Sequence, residues 1–134
     1  MNQERYTRNC IAYDEYFELV LLCWEQGQKT AIHCHNEQEC WVKVVSGCFA
    51  EELYRVDESS GKIEYLSTEI LLQDEVTTVE DASILHNLAN TNRGRSMTLH
   101  LYMKPIKECR IYDVATSQLK LVSLSYDTVG GKPV

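Results

Sequence analysis

The chain has 134 residues, a length that suits one domain with its own hydrophobic core, and we treat 1–134 as a single domain. Its net charge of −7, with no run of Lys or Arg, argues against a nucleic-acid partner, because phosphate binding needs a clustered basic surface. No apolar run is as long as a membrane span, and the start, MNQERYTRN, lacks the apolar segment of a signal peptide. We therefore expect a cytoplasmic protein with no membrane partner.

Strand patterns dominate the chain, in the order 16–24, 40–56 with a break near Gly47, 62–67, 96–103 and 119–126. These segments alternate or run apolar, and they are rich in β-branched and aromatic residues. Turn-forming stretches such as DESSGK and NTNRG separate them. The segment LSTEILLQDEV leaves room for a turn of helix. Many short strands divided by such turns predict an all-β barrel or sandwich.

The cysteines lie mostly inside apolar alternating runs, at positions 10, 23, 34, 40, 48 and 109, and no two have CxxC spacing. This spacing argues against a zinc ribbon or a thioredoxin motif. We expect reduced thiols, as in a reducing compartment.

Two histidines two residues apart are the first candidates for metal ligands. In a strand, residues i and i+2 point to the same face, so His33 and His35 would lie side by side. A third ligand must come from elsewhere, and the remaining histidines are His86 and His100. The alternatives are ordinary core or surface histidines and a closed zinc site that uses Cys40.

The spacing around this pair matches the first cupin motif. Five residues separate Gly27 from His33, four separate His35 from Cys40, and six separate Cys40 from Gly47. Cys40 stands where cupins usually carry a Glu ligand. Downstream, the segment HNLAN, residues 86–90, resembles the end of the second cupin motif. Together these motifs predict a jelly-roll β-barrel with a three-histidine site, whose neutral imidazoles would leave coordination positions open on an iron-like metal.

More specifically, the chain resembles the type I cysteine dioxygenases, a family of cupins. The matching segments occur in the family's order and cover nearly the whole chain: YTRN (6–9), LLCWEQGQKTAIHCH (21–35), CWVKVVSG (40–47), LHNLAN (85–90), TLHLY (98–102) and Cys109. The chain begins almost at the first of them, so its N-terminus is short relative to the family.

The resemblance implies a ligand set and a cross-link. His33, His35 and His86 are expected to bind Fe²⁺. Cys40 corresponds to a cysteine that forms a thioether with a tyrosine ring carbon in many members of the family, and the matching tyrosine is Tyr102. On this interpretation Cys40 is not a metal ligand.

The resemblance also implies groups that bind substrate. Arg8 corresponds to the arginine that receives the substrate carboxylate, which its fork of donors suits, and Tyr6 is its neighbouring aromatic hydroxyl. His100 corresponds to the residue that orients Tyr102 through a hydrogen bond. Thr98 shares its face, where the family often has a serine in the same network.

The function implied is that of an iron-dependent oxidoreductase of cysteine catabolism. It would add both atoms of O₂ to the sulfur of free L-cysteine and form cysteine sulfinic acid. The alternatives are a dioxygenase for another small thiol, such as 3-mercaptopropionate, and a non-catalytic cupin that binds a metal or ligand. Arg8 favours cysteine. The sequence gives no oligomeric state.

Overall fold

The computed structural model describes residues 5–34, 39–57, 59–79 and 83–134, and the regular elements in these ranges are all β-strands. The strands are β1 (Thr7–Tyr13), β2 (Glu18–Trp24), β3 (His33–Cys34), β4 (Cys40–Ser46), β5 (Phe49–Val56), β6 (Ile63–Leu71), β7 (Val76–Val79), β8 (Ile84–Asn90), β9 (Ser96–Tyr102), β10 (Glu108–Asp113), β11 (Gln118–Ser123), β12 (Thr128–Val129) and β13 (Lys132–Pro133). The all-β prediction is confirmed. In the described part of the chain, we also find no helix with the length and apolar character of a membrane span.

The strands form two sheets. The first has the order β13-β12-β1-β2-β9-β4-β7, and the second has the order β11-β10-β3-β8-β5-β6. Strands distant in sequence lie side by side in both, as in the neighbours β2 and β9 or β3 and β8. Among the strands that the structure describes, no pair joins one sheet to the other, so the predicted barrel is observed as two packed sheets.

The core lies between these sheets. The first sheet contributes Val20, Trp24 and Val42 to one buried cluster, and the second contributes Phe49 and Leu88. The ring of Trp24 meets that of Phe49 edge-on, with centroids 5.2 Å apart. Fully burying a side chain of this size stabilises the fold by roughly 1.5–3 kcal/mol. This cluster therefore fixes the two sheets face to face.

The periodic segments folded as predicted, and the exceptions have physical causes. The 40–56 pattern divides into β4 and β5 around Gly47, which has a positive φ of 89°. The predicted helical turn is wrong, because β6 continues through it to Leu71. Several strands were not predicted, namely β1, β3, β7, β8, β10, β12 and β13. In β8, residues 85–88 are all buried and include the polar His86 and Asn87, so no alternation is visible. The cysteines are all free thiols, as expected.

Candidate active site

One cavity of about 70 Å³ is lined by residues of both sheets. One water molecule needs roughly 10–15 Å³ of cavity volume, so this cavity has room for about five to seven groups of that size. A small amino acid has about that number of non-hydrogen atoms. Seven of the predicted site residues line it: Tyr6, Arg8, His33, Cys40, His86, His100 and Tyr102. The eighth, His35, lies outside the described residues.

Antiparallel pairing of β3 with β8 brings two of the predicted metal ligands together. His33 stands directly opposite His86, and the ring centroids are 4.4 Å apart. His33 Nδ1 donates to the carbonyl of Ala31 at 2.7 Å, and His86 Nδ1 donates to a carboxylate oxygen of Glu51 at 3.0 Å. A carbonyl or carboxylate oxygen can only accept, so Nδ1 carries a proton in both rings.

The donor chemistry of these two rings suits a transition metal. Burial, with a smaller contribution from His86, lowers the pKa of His33 to about 3, so its ring is neutral at neutral pH. Neutral imidazole nitrogen is a donor that iron and similar metals accept. The described residues contain no group of three side chains placed to hold a metal ion, and the third predicted ligand, His35, is not among them.

Cys40 and Tyr102 are neighbours on two adjacent strands of the first sheet. They are directly opposed in the antiparallel pair β4/β9, and their exposed fractions are 1% and 3%. Burial, followed by the charge of Glu51, raises the pKa of the Cys40 thiol to about 12. Burial also raises the pKa of Tyr102. In the metal-free protein the Cys40 thiol is therefore protonated at neutral pH.

A line of hydrogen bonds runs along the inner face of β9. Trp24 Nε1 donates to Thr98 Oγ1 at 2.9 Å, and Thr98 Oγ1 lies 2.7 Å from His100 Nε2. His100 Nδ1 is 3.4 Å from the Tyr102 hydroxyl, longer than a normal hydrogen bond. Burial, with a further contribution from Arg8, lowers the pKa of His100 to about 3. The sequence analysis missed the indole contact, because Trp24 and Thr98 are 74 positions apart in the chain.

Arg8 is positioned by the C-terminal segment. Strand β1 pairs in parallel with β12, and Arg8 Nε donates to the Ser125 carbonyl at 3.1 Å. The guanidinium carbon lies 5.8 Å from the centre of the Tyr126 ring, and Asp127 Oδ2 accepts from the Arg8 backbone N–H at 2.8 Å. Nη2 is buried and has no hydrogen-bond partner among the described residues. It is a donor available to an anion in the cavity.

Tyr6 also lines the cavity, two residues before Arg8 and stacked on Trp24 with ring centroids 4.6 Å apart. Glu51 is a further polar group in the cavity that the sequence analysis missed. Its signal was present, since alternation in β5 places this carboxylate on the same face as the buried Phe49.

Comparison with known proteins identifies the family. The family model for cysteine dioxygenase type I matches residues 1–115. The chain belongs to the type I cysteine dioxygenase family. It is 29% identical to human cysteine dioxygenase type 1 over 133 residues, which cover 97% of this chain and 66% of the human protein. For the Danio rerio relative the identity is 31%, covering 93% of this chain and 64% of that protein. The chain thus spans just under two thirds of the length of these relatives of the family.

Solved structures agree on the fold. A Bacillus halodurans protein superposes with a TM-score of 0.65 at 14% identity, covering 94% of this chain and 81% of that one. A Klebsiella pneumoniae protein with a double-stranded β-helix domain gives 0.61 at 12% identity, covering 92% and 90%. The cupin domain of Schizosaccharomyces pombe Cnp3 gives 0.62 at 10% identity, covering 78% and 69%. The predicted cupin jelly roll is confirmed.

Proposed function

We propose that the protein is an iron-dependent thiol dioxygenase that converts free L-cysteine and O₂ to cysteine sulfinic acid. The observation that carries the proposal is the cavity shared by seven of the predicted site residues, with imidazole nitrogens, a half-buried arginine and a cysteine–tyrosine pair on its walls. Membership of the cysteine dioxygenase family supports the same reaction class. The cytoplasm, where thiols stay reduced, suits such a substrate.

The metal centre of this proposal uses His33, His35 and His86. Ferrous iron held by these residues would supply a Lewis-acidic centre at which a thiolate and O₂ react. In both rings Nδ1 donates to a protein oxygen, so Nε2 is the nitrogen that would bind the metal.

Arg8 is proposed to hold the substrate carboxylate. Its buried Nη2 is ready to donate, and the contacts of Nε and the guanidinium face with Ser125 and Tyr126 keep the fork from swinging away. An arginine that is already ordered loses little side-chain entropy on binding, so more of the charge-assisted hydrogen bond contributes to affinity. This contact favours thiol acids over thiols without a carboxylate.

Tyr102 and His100 are proposed to shape the wall beside the reacting sulfur. Both are buried, and burial keeps the phenol protonated and the imidazole neutral. The phenol can therefore donate a hydrogen bond to an oxygen developing negative charge.

The test is oxygen uptake by the purified protein loaded with Fe²⁺ and supplied with L-cysteine. We expect each O₂ consumed to yield one molecule of sulfinate, because both oxygen atoms are transferred to sulfur. The His86→Ala variant should neither retain iron nor consume oxygen. Uptake with 3-mercaptopropionate but not with cysteine would reassign the substrate, and bound iron with no uptake for either thiol would favour a non-catalytic cupin.

A further inference from the structure

Glu51 is a buried carboxylate that the proposed reaction does not yet use. It lies on β5 with an exposed fraction of 2%, and it lines the same cavity as the histidines. Burying a carboxylate is costly unless hydrogen-bond donors surround it. Its neighbour Glu52 lies on the other face of the strand, where it accepts a hydrogen bond from Tyr54 at 2.9 Å.

Both oxygens of Glu51 are hydrogen-bonded, and their partners come from different sheets. Oε2 accepts from His86 Nδ1 at 3.0 Å, on the adjacent strand β8 of the second sheet. Oε1 accepts from Thr77 Oγ1 at 3.2 Å, on β7 at the edge of the first sheet. Thr77 thus holds the second carboxylate oxygen, and the Glu51 side chain links the two sheets beside the cavity.

The two proposed ligand histidines that the structure describes are anchored by acceptors of different charge. His33 Nδ1 donates to a neutral carbonyl, that of Ala31, whereas His86 Nδ1 donates to a carboxylate. A hydrogen bond to an ionised acceptor is roughly twice as strong as one between neutral groups. It also withdraws the ring proton towards the acceptor, which makes the opposite ring nitrogen a more basic donor.

We propose that Glu51 is a positioning residue for the metal centre: it fixes the tautomer and orientation of His86, and its charge strengthens that ligand and favours the more oxidised metal. The inference rests on the proposed function, because it requires a metal held by His86. Thr77 has the subordinate role of holding the Glu51 carboxylate. Neither residue touches the substrate in this scheme.

The experiment is an anaerobic calorimetric titration of the metal-free protein with Fe²⁺. Glu51→Gln keeps the shape and an acceptor oxygen but removes the charge, and we expect it to weaken Fe²⁺ binding by about 10–100-fold. Thr77→Val keeps the Glu51 charge but removes the hydrogen bond from Thr77 to that carboxylate, so the loss of Fe²⁺ affinity should be smaller. Glu52→Gln is the matched control: it removes the same charge one residue away, on the opposite face, and should bind Fe²⁺ like the wild type.

A second measurement separates this role from a merely structural one. The Fe³⁺/Fe²⁺ reduction potential should become more positive in Glu51→Gln and stay unchanged in Glu52→Gln, because a nearby negative charge stabilises the ferric state. Urea unfolding of the metal-free variants checks the fold, and if Glu51→Gln does not fold, Thr77→Val must show the weakened binding. Wild-type Fe²⁺ affinity and potential in Glu51→Gln would overturn this inference alone. Failure of the wild-type protein to bind Fe²⁺ would overturn the proposed function and this inference with it.

Discussion

Cys40 and Tyr102 are directly opposed on neighbouring antiparallel strands, and both side chains are buried in the wall of the cavity. Side chains in such a position have Cβ atoms roughly 4.5–5.5 Å apart, within reach of a bond from a sulfur to a ring carbon. The strand register alone creates this proximity.

We therefore predict a thioether between Cys40 and Tyr102. Incubation with Fe²⁺, L-cysteine and O₂ should lower the intact mass by two hydrogens, one from the thiol and one from the ring, with O₂ as the oxidant. The Cys40→Ser variant should keep its mass. The Cys109→Ser variant removes another thiol lining the same cavity and should still lose the two hydrogens; an unchanged mass in the wild type would contradict the prediction.

Replacing Arg8 tests the carboxylate site. Arg8→Gln should raise KM for L-cysteine by about 10–100-fold, since a hydrogen bond to a charged group contributes about 1.5–3 kcal/mol. Turnover of cysteamine, which lacks the carboxylate, should change much less. Arg95 is an exposed arginine paired with Glu25, so Arg95→Gln is the control for loss of one positive charge. Equal effects of Arg8→Gln on both thiols would show that the guanidinium does not bind the carboxylate.

The buried neutral His100 predicts a loss of stability in acid. Its pKa is about 6.5 in the unfolded chain but about 3 in the folded protein, so between these values the unfolded state binds the extra proton. The free energy of unfolding therefore falls as the pH is lowered through this window. Above the window, the stability that the neutral His100 contributes is fully present. His100→Asn should flatten the dependence by up to about 1.4 kcal/mol per pH unit. Urea unfolding of the metal-free wild type and variant at several pH values measures this dependence. Parallel curves of unfolding free energy against pH for the two proteins would refute the prediction.

Replacing the two glycines of the first motif, Gly27 and Gly47, should lower the free energy of unfolding by different amounts. Both have positive φ, 78° at Gly27 and 89° at Gly47. A Cβ at Gly27 would have no neighbour within 4 Å, whereas one at Gly47 would lie 1.9 Å from Ser96 Oγ. Gly27→Ala should cost about 1–2 kcal/mol of backbone strain, and Gly47→Ala a further ~1–3 kcal/mol from the clash. Chemical denaturation compares them, and similar losses would mean that Ser96 moves aside.

Local patterns in the sequence determined much of this protein. Alternation predicts β2, β4, β5 and β9, because successive strand residues face opposite sides wherever one face is buried. Motif spacing, read with the family resemblance, proposed the cavity residues, and seven of them line one cavity. The strand predictions hold because they depend on short stretches whose geometry is set by the backbone itself.

Only the tertiary structure decided which distant residues meet. The pairing of β3 with β8 sets His33 against His86, and the C-terminal segment fixes Arg8 by contacts with Ser125 and Asp127. Glu51 gained its place beside His86 through the register of β5 with β8, which no local pattern encodes. Register between distant strands and the burial that shifts a pKa are properties of the whole packed fold, since many side chains and both sheets contribute to each of them.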